Sequence, residues 1–213
     1  MVKICSLHQY QESTTNMSSF FEKYSYDLHI FQKWALEAIV QGNHVLVTAP
    51  TGSGKTMPGE FAIDFFHSIG KKVIYTTPVK ALSNQKFYDF TKKYPHISIG
   101  LITGDIKTNP DADVLIMTTE ILLNKLYSTR SEMKDRRPTT SFEMDVETEL
   151  GCVIFDEIHM INDQNRGHVW EQSILLLPKH IQMIGLSATL DNPEKFAMWM
   201  ETRGESKSTS TDK

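Results

Sequence analysis

The stretch "NHVLVTAPTGSGKT", residues 43–56, decides the fold. It begins as an apolar, β-branched run and passes without pause into a glycine-rich loop. Gly52 and Gly54 let backbone N–H groups turn inward around an anion with no Cβ in the way. Helical spacing resumes beyond Thr56, at Phe61, Phe65 and Ile69, so the free N–H groups of a helix's first turn face the same anion. Ala49 stands where such loops often carry glycine. Thr51, Gly52, Ser53 and Gly54 line the cradle, Lys55 brings a movable positive charge to the outer phosphates, and Thr56 offers a hydroxyl to Mg²⁺. A glycine-rich strand-to-helix turn with an incidental lysine is the bland alternative; a strand before and a helix after argue against it. Pro58 lies close behind, so the helix is expected to start at about Gly54 and to be distorted at the proline.

Five further runs resemble the one at 43–48: "KVIYTT" (72–77), "ISIGLI" (97–102), "DVLIMT" (113–118), "GCVIF" (151–155) and "IQMIGL" (181–186). Most are apolar throughout rather than alternating, which marks strands covered on both faces. Strand and helix in alternation give an α/β fold, a mostly parallel sheet with helices on both faces. Three regions fall outside this pattern. Residues 1–23 are polar and read as a flexible lead-in; 128–149 are rich in charge, Ser and Thr and read as a surface excursion; the last residues, 203–213, have linker composition. One domain therefore spans 24–202.

With 22 basic against 26 acidic residues, the formal net charge is −4. That excludes a wholesale polyanion-binding surface and leaves room only for local contacts. Cys5 and Cys152 are too few for a disulfide framework, which points to a reducing compartment. No apolar window is long enough to span a membrane, and the first twenty residues lack a secretory apolar core.

A phosphate loop predicts an acid at the tip of a neighbouring parallel strand, to hold the metal. "CVIFDE" supplies one, with Asp156 first beyond the buried run. Glu157 beside it falls where a base could orient and deprotonate an attacking water. Alone, such a pair at a strand end is as often a solvated loop start; the loop in the same chain tips the reading. The eight histidines show no metal-ligand spacing with cysteines, so no zinc is assigned.

In order, the chain carries "FQKWALEAI", "APTGSGKT", "TPVKALSNQKF", "GLITGDIKTNPDA", "VLIMTTEIL", "VIFDEIHMINDQNRGHVWE", "LLLPKHIQM" and "IGLSATL". Together these resemble the first RecA-like lobe of a superfamily 2 DExH-box RNA helicase, more narrowly the Ski-like branch that feeds RNA to the exosome. The resemblance implies a RecA-like P-loop NTPase domain using ATP and Mg²⁺. It implies that Gln32 reads the adenine edge and that Tyr26 stacks on the base. The family usually has Asp three positions before that glutamine, where this chain has His29. His159 of "DEIH" would link the nucleotide site to Ser187, Ala188 and Thr189. RNA contacts would fall on Pro78, Lys80 and Ala81, on Thr103, Gly104 and Asp105, and on Thr118, Thr119 and Glu120. Hydroxyls, backbone N–H groups and one lysine suit phosphate–sugar contacts that ignore sequence. Thr118, Thr119 and Glu120 can serve as a helix start at the same time.

The resemblance also implies a second RecA-like lobe, bearing arginines that stabilise the transferring phosphate, and RNA-decay proteins as partners. About two dozen residues follow "SATL" and none carries those elements, so the chain is expected to be weakly active or inactive alone. An intracellular setting is expected, and the compact spacing would suit a viral or divergent eukaryotic source. Two other readings stay open: a DNA-directed superfamily 2 translocase, separable by comparing RNA and DNA stimulation, and a non-catalytic nucleotide-gated binding module. Retention of Lys55, Asp156, Glu157, Ser187 and Thr189 speaks against the second. A small-molecule kinase would need an arginine-rich lid, which 128–149 supplies poorly.

Overall fold

The computed structural model describes residues 2–5, 8–11, 16–130 and 144–203. Along the chain run α1 (Ser18–Phe21), α2 (Ile30–Val40), β1 (Val45–Thr48), α3 (Met57–Ser68), β2 (Lys72–Thr77), α4 (Lys80–Lys93) and β3 (Ile99–Ile102). They are followed by β4 (Lys107–Thr108), β5 (Val114–Thr118), α5 (Thr119–Arg130), β6 (Leu150–Asp156), a 3₁₀ turn (Ile158–Asn162), α6 (Gly167–Leu176), β7 (Gln182–Ser187) and α7 (Pro193–Thr202). All six apolar runs form strands.

Among the described residues these strands make one sheet in the order β1-β7-β6-β2-β5-β3-β4. Every pairing is parallel except that of the two-residue β4 with β3. All-apolar strands have two faces to bury, and each face has its own core. Val73, Tyr75, Ile116, Ile154 and Ile184 point into one cluster with Leu36, Ile39 and Ile63. Ile74, Leu115, Met117, Val153 and Phe155 point into the other with Leu122, Trp170 and Ile174. The period of two along a strand divides the residues, and the burial of both sets explains why no polar alternation appears.

Three expectations need adjustment. α3 begins at Met57, not Gly54, because Gly52 and Gly54 hold φ of +84° and +81°, outside the right-handed helical region. Pro58 is therefore the second helical residue, where its missing N–H has no intrahelical partner to lose, and no distortion is needed. Residues 16–21, within the expected lead-in, carry α1; Met17 is fully buried and Phe20 packs edge-on against Phe61. In the expected excursion, α5 runs on to Arg130, and Met144 and Val146 are buried. Residues 131–143 and 204–213 lie outside the described residues.

Candidate nucleotide site and nucleic-acid edge

Because the strands are parallel, their C-terminal ends meet on one side, and ligands of open α/β sheets sit there. The sequence motifs divide along it by strand. β1, β7 and β6 are consecutive in the sheet and carry the loop, Ser187 and the acidic pair; β2, β5 and β3 are consecutive and carry the expected RNA residues. The acids are not on the strand next to β1, as expected, but one further away. β7 lies between, paired Thr48 to Ser187 on one side and Leu186 to Asp156 on the other. Ala49 at the start of the loop donates its N–H to the Ser187 carbonyl at 3.0 Å.

The loop is built around its glycines. A Cβ on Gly54 would stand 2.7 Å from Gln32 Nε2, and that nitrogen donates to the Gly54 carbonyl at 3.1 Å. Gln32 Oε1 accepts the His29 N–H at 2.8 Å. The buried Gln32 thus ties α2 to the phosphate loop and has one N–H and one lone pair beyond these two bonds. Tyr26 is exposed nearby in sequence, edge-on to Tyr24 with ring centroids 5.7 Å apart. Ser53 Oγ donates to the Pro50 carbonyl at 2.7 Å, bracing the turn, and Thr51 is exposed.

Lys55 is buried, and its Nζ lies 3.5 Å from Glu157 Oε1. His159 Nδ1 is 3.3 Å from Glu157 Oε2 and 3.4 Å from Ser187 Oγ. Ser187 Oγ in turn donates to the Thr189 carbonyl at 2.8 Å. The four groups thus form one relay from the phosphate loop to the end of β7. Glu157 occupies left-handed space at φ +53°, a conformation costing a non-glycine residue about 1–2 kcal/mol. Strain of that kind is retained where it aims a functional side chain.

Two contributors to this half carried no role in the sequence reading. Tyr75, buried in β2, donates its hydroxyl to Asp156 Oδ2 at 2.7 Å. Burial, and next the charge of Asp156, hold that hydroxyl well above its ordinary pKa, so it remains a donor. Lys86 of α4 places Nζ 3.8 Å from the same oxygen. A tyrosine inside an apolar strand and a lysine in "SNQKF" were the only signals, and neither has a motif.

In the second half, Lys80 and Asp105, both expected at RNA, pair with each other at 2.8 Å. Thr103 Oγ1 also donates to Asp105 Oδ1, at 2.9 Å. These two hydrogen bonds, Lys80's first, hold the Asp105 carboxyl below its ordinary range. Ala81 and Gly104 are exposed beside them. Thr118 ends β5 and Thr119 starts α5, and Thr119 Oγ1 is buried without a hydrogen-bond partner among the described residues. Glu120 and the Pro78 carbonyl are both held by Arg166, a third residue the sequence reading left without a role.

A parallel sheet carrying a glycine cradle, a buried lysine and a strand-end acid pair defines a P-loop nucleotide-binding domain of RecA-like form. The chain belongs to the DEAD/DEAH box helicase family, whose pattern it matches over residues 30–196. It is 47% identical over 175 residues to the antiviral helicase SKI2 of Saccharomyces cerevisiae, covering 82% of this chain and 12% of that protein. It is 42% identical over 177 residues to the chloroplastic DExH-box ATP-dependent RNA helicase DExH15 of Arabidopsis thaliana, covering 83% and 14%. Among solved structures, the Mycobacterium smegmatis helicase Lhr bound to ssDNA and AMP-PNP superposes with a TM-score of 0.59 at 32% identity, covering 83% of this chain and 24% of Lhr. The chain thus spans between about a tenth and a quarter of these relatives.

Proposed function

We propose that this chain is the ATP-binding first lobe of an RNA helicase that couples ATP hydrolysis to movement along, or unwinding of, RNA. The relay Lys55–Glu157–His159–Ser187 carries the reading, since a phosphate-binding site alone has no use for a histidine bridging its base to the next strand. The loop amides and Lys55 bind and orient the triphosphate of the substrate ATP. Glu157 takes the proton from the water that attacks the terminal phosphorus, while the bond to the bridging oxygen breaks. His159, touching both Glu157 and Ser187, holds the base in place and reports its position to β7.

Thr56 and Asp156 fit Mg²⁺: a hydroxyl at the foot of the loop and a carboxylate already aimed by Tyr75, both hard oxygen donors. When bound, the ion screens the charge between the outer phosphates. Phosphates and water would complete its coordination.

RNA is preferred over DNA on the Ski-like resemblance and on the name of DExH15; Lhr, bound to ssDNA, supports the alternative of a DNA-directed translocase. RNA-decay proteins as partners, and a reducing cell interior suited to the free Cys5 and Cys152, belong to the same reading. The test is ATP turnover by the full-length protein with single-stranded RNA and with single-stranded DNA of equal length. Stimulation by RNA and not by DNA is expected; stimulation by DNA alone selects the translocase, and turnover indifferent to either overturns both.

A further inference from the structure

Arg166 follows a tightly specified turn. Asp163 Oδ1 accepts the N–H groups of Asn165 at 2.9 Å and Arg166 at 2.8 Å. These bonds, Arg166's first, hold the Asp163 carboxyl below its ordinary range, so it stays an acceptor. Gly167 N donates to the Asp163 carbonyl at 2.9 Å. A Cβ on Gly167 would stand 2.2 Å from the Ile161 carbonyl oxygen, so only glycine lets the 3₁₀ turn and α6 approach this closely.

From that turn the guanidinium reaches two of the three loops at the expected nucleic-acid edge. Nη2 donates to the Pro78 carbonyl, after β2, at 2.7 Å. Nε donates to Glu120 Oε1, at the start of α5, at 3.1 Å, and Nη2 shares that oxygen at 2.5 Å. The guanidinium carbon lies 5.6 Å from the ring centre of the fully buried Trp170. One side chain thus fastens three elements that are distant in sequence, nine positions beyond Glu157.

Resting on the helicase reading, we propose that Arg166 is a positioning residue for RNA: its fork sets Pro78 and Glu120 in register with the segment carrying the acidic pair. Arg166 and Glu120 are 39% and 37% exposed, and an ion pair so open to water adds little to global stability. What the contact supplies is geometry. A carbonyl and a carboxylate oxygen are taken together by one planar group, and a lysine ammonium cannot reproduce the fork.

The experiment uses the full-length protein with Arg166→Ala and Arg166→Lys, titrating single-stranded RNA into an ATPase assay. Both variants are expected to need about tenfold more RNA for half-maximal stimulation, the scale of one charge-assisted hydrogen bond. Fluorescent ADP affinity and the melting midpoint should stay at wild-type values, which a merely structural role would not allow. Unchanged RNA demand in Arg166→Ala, or full rescue by Arg166→Lys, overturns the proposal. If Arg166→Ala misfolds, Arg166→Lys carries the test by hydrogen–deuterium exchange. Faster exchange at residues 79–83 and 119–123, with 53–57 unmoved, supports the bridge, and unaltered exchange sinks it. A wild-type protein that no nucleic acid stimulates defeats the helicase reading instead, and the exchange arm still decides the bridge.

Discussion

Lys55 and Glu157 lie 3.5 Å apart in a partly buried setting, so each now balances a charge that nucleotide would otherwise meet. In the proposed mechanism, phosphate arriving in the loop would compete for the Lys55 ammonium and free the Glu157 carboxylate to work on water. Lys55→Ala in the full-length protein should therefore weaken nucleotide binding and lower the turnover rate by about 100-fold or more, as loss of one preorganised electrostatic partner does. A phosphate-release assay within tenfold of wild type would contradict it. Glu157→Gln removes proton acceptance but keeps size and hydrogen bonding. It should bind ATP and RNA normally and lose about 10²–10⁴ in rate; unimpaired hydrolysis would take Glu157 out of the base role. Both residues were legible in sequence because each stands inside its own short contiguous motif, "APTGSGKT" and "CVIFDE". Tyr75, Lys86 and Arg166 were not, since each meets its partner only after the sheet is assembled: Tyr75 and Asp156 are separated by 81 positions, Arg166 and Pro78 by 88.

At the scale of elements, six strands could be read because an all-apolar run has one sensible place in an α/β sheet. β4 could not: Lys107–Thr108 is two exposed residues, and only pairing with Leu101 and Ile102 makes it a strand. α1 hid for a similar reason, its polar flanks outweighing Met17, Phe20 and Phe21 in composition though not in packing. The edge of the sheet carries a pH-sensitive contact. His44, just before β1, accepts the Met183 N–H of β7 on Nδ1 at 3.1 Å, a bond that a protonated ring cannot accept. Burial, and next the charge of Arg203, lower the His44 pKa from its ordinary 6.5. In the folded state the proton is disfavoured, so this contribution is whole above about pH 6.5 and declines as acid protonates the unfolded chain first. Urea unfolding of this chain should become easier between pH 7.5 and 5.5. His44→Gln, which can still accept the bond but does not titrate, should flatten that dependence. An equally steep profile in the variant would remove His44 as its source.

For the whole molecule, in the proposed reading, the sheet order β1-β7-β6-β2-β5-β3 divides its strand ends into an ATP half on β1, β7 and β6 and a nucleic-acid half on β2, β5 and β3. The boundary between the halves falls between β6 and β2, where Tyr75 reaches across to Asp156. In the proposed reading, the transferring phosphate calls for cationic charge beyond that of Lys55. Among the described side chains, Arg166 is committed to Pro78 and Glu120, and Arg203 donates to the carbonyls of Leu177, Lys179 and Ile181. An arginine at the transition state is worth about 10³–10⁵ in rate, and in this family reading it comes from the second lobe. The isolated 213 residues should accordingly bind ADP or ATP measurably, by fluorescence of a labelled nucleotide, and turn ATP over slowly. Added single-stranded RNA should raise that rate less than about twofold, because in the proposed reading the loops after β2, β5 and β3 would supply only half of a sequence-indifferent track. Supplying the remainder of the full-length protein should restore RNA-dependent turnover. Vigorous RNA-stimulated hydrolysis by the isolated chain would mean that Lys55, Lys86 and the Glu157–His159–Ser187 relay suffice on their own, and the two-lobe reading would fall.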